Sequence, residues 1–219
     1  MKFSGSNPPS QESAPNPGMR ETCWQCRRAK VACYCSEVIP FDPGFDLAIC
    51  VHPREARNPI GTARIIYRFV QGCELFVGTG SQLDSDPRFR DWINRSPSSV
   101  KILYPGPHAL WISEQSPLVS QPIRPRIVII DGTWSQAKQL VRTSELLRSI
   151  SQIAFQPRSP SLYTIREQPA TICLSSLEAV SELISLAGEP RAPGHERMLG
   201  VFHQMVDYQL KKEIKNHVE

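Results

Sequence analysis

Short apolar runs and stretches with helical spacing alternate along the chain from about residue 41 onward. Mostly apolar runs of three to five residues, without the alternation of a half-exposed strand, are typical of strands buried in a parallel sheet. The sequence predicts four such strands, at residues 47–51, 75–77, 100–104 and 127–130.

Apolar spacing and capping signals predict helices between these strands. Asn58 followed by Pro59 fits an N-cap and a first helical position, and apolar residues recur at helical spacing from 60 to 70. A short helix is predicted over 87–95 and a last helix over about 196–216.

Two further helices are marked by the spacing of a capping box, in which the first and fourth residues of a turn satisfy each other's backbone. Thr133 with Gln136 marks one, and Ser175 with Glu178 marks the other, which Gly188 closes. This alternation of strands and helices favours an α/β fold around a mostly parallel sheet.

Residues 1–20 differ from the rest of the chain because they are rich in Ser, Pro, Asn and Gln. Such a segment buries too little apolar surface to offset its lost entropy, and we predict a disordered tail. Four cysteines follow within residues 21–36, which we call the cysteine module. Residues 37–219 are predicted to form the α/β domain.

The 219-residue chain is 40% hydrophobic and has no stretch approaching the roughly 20 apolar residues that cross a bilayer. Its first residues lack the apolar stretch of a secretory signal, so we expect a cytoplasmic protein with no membrane partner. A net charge of +4 is compatible with a polyanionic partner but does not require one.

The cysteine module presents four thiols within thirteen residues, at Cys23, Cys26, Cys33 and Cys35. In a reducing compartment clustered cysteines more often bind metal than pair as disulfides, and Zn²⁺ prefers four soft ligands in a tetrahedron. The spacing therefore predicts a structural zinc knuckle, and unligated thiols are the alternative. The remaining cysteines have apolar neighbours and are predicted core residues: Cys50, Cys73 and Cys173.

Basic and aromatic residues lie within and beside this cluster. Arg27, Arg28 and Lys30 lie between the two cysteine pairs, close in sequence to Trp24 and Tyr34. Such a loop suits phosphate contact and base stacking, which makes the three basic side chains candidate RNA-binding residues. A solvated charged rim is the alternative.

Asp131 directly follows the clearest predicted strand and precedes a predicted helix. In open α/β sheets, ligands bind in the crevice beyond the carboxyl ends of the strands. Gly132 permits a tight turn, and Trp134 offers a flat aromatic face near the same edge. Position alone is equally compatible with a helix-capping Asp131 and a Trp134 that anchors the core.

The segment Asp131-Gly132-Thr133-Trp134 resembles the signature of the DTW-domain family, whose members include tRNA-uridine aminocarboxypropyltransferases. Other blocks are similar to the family's in the same order: the four cysteines, His52-Pro53-Arg54-Glu55, Gly61-Thr62-Ala63-Arg64, Leu103-Tyr104-Pro105-Gly106, Tyr163-x2-Arg166-Glu167 and Ser175-Ser176-Leu177-Glu178-Ala179. The pair Ser175-Ser176 departs from the expected Ser/Cys-Thr but keeps the hydroxyl. The ordered blocks extend over residues 23–179, most of the chain.

This resemblance implies a fold related to the SPOUT methyltransferases, with a deep knot at the C-terminal end of the sheet. It also implies S-adenosylmethionine as donor, a uridine in tRNA as acceptor, and transfer of the 3-amino-3-carboxypropyl group to N3 with release of methylthioadenosine. The residues that it places around the donor are Tyr104, Pro105, Thr133, Trp134, Arg166, Ser175 and Ser176.

Within that chemistry Asp131 is the candidate catalytic base, because uridine N3 must lose its proton and a positioned, partly buried carboxylate can take it. Arg166 is a candidate clamp for the donor carboxylate, and a salt bridge to Glu167 or Glu178 is the alternative. His52 is either a second base or a structural histidine.

Two other functions remain compatible with the sequence. One is a SPOUT-like RNA methyltransferase that uses the same donor, and the other is a non-catalytic zinc-knuckle protein that binds RNA. The intact segment Asp131-Gly132-Thr133-Trp134 favours an enzyme, since a binding protein has no need for both the acid and the aromatic residue.

Overall fold

The structure is a computed structural model, which describes residues 21–58, 60–114, 123–165, 173–188 and 192–218. The tail predicted at residues 1–20 lies outside these ranges. No helix within the described ranges is both long and apolar enough to cross a membrane.

Six strands of the described part of the chain form one sheet, and every strand pairing in it is parallel. The strands are β1 (Asp46–Val51), β2 (Glu74–Val77), β3 (Val100–Leu103), β4 (Leu110–Trp111), β5 (Arg126–Asp131) and β6 (Ser151–Ala154). Their order across the sheet is β2-β1-β5-β3-β6-β4. Because β5 lies between β1 and β3, its last residue is in the middle of the carboxyl edge.

The α/β prediction and the four predicted strands are confirmed, as β1, β2, β3 and β5. The sequence did not predict β4 and β6. β4 has only two residues, and β6 begins with the polar pair Ser151-Gln152. Neither strand therefore shows the apolar run by which a buried parallel strand is identified.

Among the described residues, eight α-helices connect and cover the strands. They are α1 (Pro53–Ala56), α2 (Thr62–Phe69), α3 (Gly80–Ser85), α4 (Pro87–Asn94), α5 (Trp134–Thr143), α6 (Glu145–Ser149), α7 (Ser176–Leu186) and α8 (Pro193–Val218). Both predicted capping boxes are present, at the starts of α5 and α7. Gly188, with a φ of 76°, follows the end of α7 as predicted.

The predicted start of a helix at Asn58 and Pro59 is wrong. Helix α2 begins at Thr62, and the side chain of Asn58 accepts a hydrogen bond from the backbone N–H of Ile60 at 3.1 Å. An Asn side chain that bonds locally in this way holds a turn rather than starting a helix. Pro59 lies outside the described residues.

Helices cover both faces of the sheet, so the core has two layers. On one face, Leu47 and Ile49 of β1 pack with α2, α7 and α8. On the other face, Ala48 and Cys50 pack with α3, α4, α5 and α6. The alternation along β1 places successive side chains in different layers, as expected for a strand buried on both sides.

The chain leaves the neighbouring strands β1 and β5 toward opposite faces. Helix α2, which follows β1, packs in the first layer, whereas α5, which follows β5, packs in the second. Two such connections that diverge from adjacent parallel strands open a crevice at their carboxyl ends. Asp131 is the last residue of β5 and lies at that position.

Candidate active site and metal centre

A cavity with a volume of about 620 Å³ opens at the carboxyl edge of the sheet. Its walls come from the ends of β3, β5 and β6 and from the first turns of α2, α5 and α7. The candidate residues that line it together are Tyr104, Pro105, Asp131, Thr133, Trp134, Ser175 and Ser176. Arg166, the remaining candidate for donor binding, lies outside the described residues.

Asp131 lies between the N-termini of α2 and α7, with 9% of its surface exposed. Its Oδ2 accepts a hydrogen bond from the backbone N–H of Ala63 at 3.1 Å, and its Oδ1 accepts one from Ser176 Oγ at 3.3 Å. The Ser176 hydroxyl also bonds the Thr62 hydroxyl. Because Ser176 donates to Asp131, it accepts from Thr62, and the three side chains form a directed chain.

Asp131 is therefore both a helix cap and a residue of the cavity, two roles that its position in the sequence left as alternatives. It satisfies the free N–H of Ala63 in the first turn of α2, where a carboxylate also interacts favourably with the helix dipole. It lines the cavity at the same time. The helix that it caps is not the one that follows it, since α5 is capped by Thr133 and Gln136.

Gly132 forms the turn between β5 and α5. A Cβ atom at this position would lie 3.1 Å from both Cβ and Oε1 of Gln136 and 3.5 Å from Cβ of His52. Glycine lets the backbone pass this close to Gln136 and His52, and α5 begins two residues later, at Trp134. The Trp134 side chain is 40% exposed and lines the cavity, which excludes the alternative of a core anchor.

Five aromatic side chains line the cavity, among them Trp134, Trp111 and Tyr104. Trp111, on the edge strand β4, is 57% exposed, and Tyr104 is partly buried after β3. Flat aromatic faces of this kind stack on nucleobases. Sequence reasoning missed Trp111 because the two-residue strand that carries it has no recognisable pattern.

The charged side chains among the described residues that line the cavity are both carboxylates, Asp131 and Glu55. Glu55 was not singled out from the sequence, although it belongs to the block that begins at His52. Two acids next to aromatic faces form an environment that suits a ligand carrying positive charge.

His52 follows β1 and caps the short helix α1. Its ring Nδ1 accepts a hydrogen bond from the backbone N–H of Arg54 at 3.3 Å, and the backbone N–H of His52 donates to the backbone carbonyl of Asp131 at 3.0 Å. Burial, and secondarily the charge of Arg54, lower the pKa of His52, so the neutral ring is favoured. This arrangement favours the structural role for His52 over that of a second base.

The four thiols of the cysteine module lie together. All Sγ atoms are within 4.8 Å of one another, and the Cys23–Cys35 and Cys26–Cys33 pairs are each 3.8 Å apart. A tetrahedral Zn²⁺ with Zn–S bonds of about 2.3 Å separates its sulfurs by about 3.8 Å. The four side chains are therefore arranged so that they could hold one metal ion.

The three remaining cysteines lie outside this cluster. Cys50, Cys73 and Cys173 are all buried. Cys50 and Cys73 belong to the core as predicted, whereas Cys173 lines the cavity. Burial raises the pKa of Cys73 to about 12, because the thiolate is poorly solvated there. Cys73 also lies outside the group of four thiols that could hold a metal ion.

The cysteine module packs directly on the α/β domain. Cys26 is 1% exposed, and it shares one continuous core with Tyr34, α2 and α8. The Tyr34 ring stacks on Phe69 of α2, and the Arg28 guanidinium lies 4.9 Å from the centre of the Tyr34 ring. Arg28 Nη2 also contacts Met205 Sδ of α8.

The three candidate RNA-binding side chains of the module have different surroundings. Arg27 is exposed, at a φ of 56° that non-glycine residues rarely adopt. Lys30 is exposed and pairs with Glu21 at 2.7 Å. Arg28 is partly buried against Tyr34, as described above. Of these side chains, Arg27 projects most freely from the module.

Comparison with known proteins agrees with the resemblance carried by these residues. The family model of the DTW domain matches residues 20–210. The tRNA-uridine aminocarboxypropyltransferase 2 of Drosophila melanogaster is 28% identical over 211 residues, which cover 94% of this chain and 81% of the fly protein. No solved structure matches the chain. The chain belongs to the DTW-domain family.

Two further relatives differ in how much of their length is matched. The tRNA-uridine aminocarboxypropyltransferase 2 of Macaca fascicularis is 31% identical over 176 residues, covering 76% of this chain but 56% of the macaque protein. The tRNA-uridine aminocarboxypropyltransferase A of Arabidopsis thaliana is 27% identical over 227 residues, covering 88% of this chain and 82% of the plant protein. The chain thus spans little more than half of the macaque relative.

Proposed function

We propose that this protein transfers the 3-amino-3-carboxypropyl group of S-adenosylmethionine to N3 of a uridine in tRNA, and that it does so in the cytoplasm. The observation that carries the proposal is the position of Asp131, at the end of the central strand and inside a cavity with aromatic walls. The names of the relatives support the substrate and the transferred group.

The cavity fits this donor on two grounds. S-adenosylmethionine carries a sulfonium and an ammonium group, and the charged side chains of the described lining residues are Asp131 and Glu55. Its adenine is a flat ring, and Trp134, Trp111 and Tyr104 offer faces for stacking. In this proposal Pro105, Thr133, Ser175 and Ser176 complete the donor site, and Arg166 holds the donor carboxylate.

The donor supplies a carbon next to sulfur that is already activated for displacement, so the step needs no catalytic metal. Asp131 takes the proton from uridine N3, and the nitrogen then forms a bond to that carbon. The carbon–sulfur bond breaks, its electron pair stays on sulfur, and methylthioadenosine leaves. Ser176 and the N–H of Ala63 hold the carboxylate in place for this proton transfer.

Two structural features implied by the family belong to the same proposal. One is a SPOUT-like knot at the carboxyl edge of the sheet, made by the segments that carry the donor-binding residues. The other is a structural zinc ion at Cys23, Cys26, Cys33 and Cys35, which is supported by the sulfur separations. Four thiolate ligands would leave the ion no open position for catalysis.

The direction of transfer can be tested with labelled donor. We expect label in the donor carboxylate to enter tRNA, and label in the methyl group to leave with methylthioadenosine. Nucleoside mass spectrometry of the treated tRNA should show the modified uridine. Methyl label in the RNA, with S-adenosylhomocysteine as by-product, would instead identify a methyltransferase. Absence of both labels would favour a non-catalytic RNA-binding protein.

Removal of the Ser176 hydroxyl is expected to weaken the placement of Asp131. The Ser176→Ala variant loses one hydrogen bond to the carboxylate, worth about 1 kcal/mol, and turnover should fall about fivefold. Steady-state kinetics with saturating tRNA checks this value. Ser175→Ala is an informative comparison, because the Ser175 side chain caps α7. Its loss should lower the melting temperature, whereas turnover should fall less than in Ser176→Ala.

A further inference from the structure

A second cavity, of about 430 Å³, lies between the cysteine module and α8. The module contributes Arg28 and Val31 to its walls, and α8 contributes Tyr208 and Lys212. Both Val31, 89% exposed, and Tyr208, 45% exposed, present apolar surface to solvent here. We call this cavity the module groove.

The module groove adjoins the cavity at the carboxyl edge of the sheet. Ile60 lines the groove, and the next residue, Gly61, lines the first cavity. Tyr163, another residue of the first cavity, donates a hydrogen bond from its hydroxyl to the carbonyl of Ile60 at 3.4 Å. The two cavities are therefore separated by little more than one short loop.

The chemistry of the groove differs from that of the first cavity. Lys212 and Arg28 bring positive charge, and Gln204 and Gln209 bring amides that both donate and accept hydrogen bonds. The acidic residue in the lining is Glu37, and it pairs with Arg197 at 3.9 Å. Cations, amides and an exposed tyrosine ring together suit single-stranded RNA, which is bound through phosphates and through stacking on aromatic faces.

We propose that the module groove holds the tRNA nucleotides that flank the modified uridine. The inference rests on the proposed function, because it takes tRNA as the substrate. A uridine whose N3 reacts in the first cavity must be unpaired and turned out of its stack, so its neighbours are free to contact protein. The short loop at Ile60 and Gly61 sets the path by which the RNA strand passes from one cavity to the other.

Two neighbouring lysines on α8 provide a matched test. Lys212 lines the groove, whereas Lys211, which is also exposed, is absent from its described lining. Lys212→Glu should weaken the binding of tRNA about tenfold in fluorescence anisotropy at fixed salt. It should also reduce the slope of log affinity against log salt by about one phosphate contact. Lys211→Glu has the same change in net charge and should alter affinity less than about twofold.

Tyr208→Ala tests stacking in the same groove. It should weaken tRNA binding about tenfold and leave the salt dependence unchanged, because the lost contact is not ionic. Donor affinity, measured by calorimetry, should stay at the wild-type value in all three variants. Far-UV circular dichroism checks that α8 stays helical.

The outcomes separate the groove from the proposed function. If the wild-type protein transfers the group but Lys212→Glu and Tyr208→Ala bind tRNA normally, the groove assignment is overturned and a protein partner becomes the better occupant. Equal weakening by Lys211→Glu and Lys212→Glu also overturns it, since net charge alone would then explain both. A third outcome is that the wild-type protein binds tRNA but does not transfer the group, while Lys212→Glu and Tyr208→Ala weaken that binding and Lys211→Glu does not. This result would support the groove and overturn the proposed reaction.

Discussion

Asp131→Asn is expected to lower turnover by at least about a hundredfold, the usual loss when a general base is removed. The amide has nearly the shape of the carboxylate but cannot take the proton of uridine N3. Binding of tRNA should change little, whereas donor binding should weaken because one of the two cavity carboxylates loses its charge. With both substrates saturating, the hundredfold loss should appear in kcat. Single-turnover kinetics with saturating donor is the appropriate measurement.

The same variant is expected to unfold at almost the wild-type temperature. Its side-chain oxygen can still accept from the N–H of Ala63, and the Ser176 hydroxyl can turn toward another acceptor. The loss of one charge-assisted contact costs about 1 kcal/mol, or roughly 2–4 °C for a domain of this size. Wild-type turnover in a stable Asp131→Asn protein would restrict Asp131 to capping α2 and place the base elsewhere.

Cys26→Ser is expected to release the bound metal and to destabilise the whole domain. The predicted content of the wild-type protein is one zinc ion per chain. Because Cys26 lies in the core shared with α2 and α8, a loosened module would expose Phe69 and Met205. We expect a melting temperature lower by roughly 10 °C, with the α/β core still folded.

Cys73→Ser is the matched control for this experiment. Cys73 is also buried but lies outside the cluster, so the variant should keep its zinc. Metal analysis by mass spectrometry, on protein prepared without chelators, decides both results. Wild-type protein free of zinc, or a Cys26→Ser protein that retains a full equivalent, would contradict the assignment.

The features that the sequence predicted correctly depend on neighbouring residues. The strand that ends at Asp131 is an apolar run, and the starts of α5 and α7 are marked by side chains three residues apart. Such short-range patterns are visible in the sequence whatever the tertiary fold around the helix or strand. The assignment of the donor-binding residues came instead from the family resemblance, and the structure places the described ones around one cavity.

The features that the sequence did not reveal depend on contacts between distant residues. Asp131 caps α2 through Ala63, which is 68 residues away in sequence, and no local pattern marks that pair. The sequence leaves Arg28 open to being a solvated surface charge. In the structure it packs between Tyr34 and Met205, and Met205 is 177 residues away. Such placements follow from how the helices assemble and not from the spacing of residues along one of them.

The two carboxylates in the first cavity also bear on how the proposed enzyme completes its cycle. The donor enters with a positively charged sulfur, whereas methylthioadenosine is an uncharged thioether whose amino-acid arm is gone. Glu55 and Asp131 therefore attract the positively charged donor. Once the carbon–sulfur bond has broken, the sulfur is neutral and this attraction is gone. Affinity falls as a direct result of the reaction, so the spent nucleoside should dissociate readily and compete poorly with fresh donor.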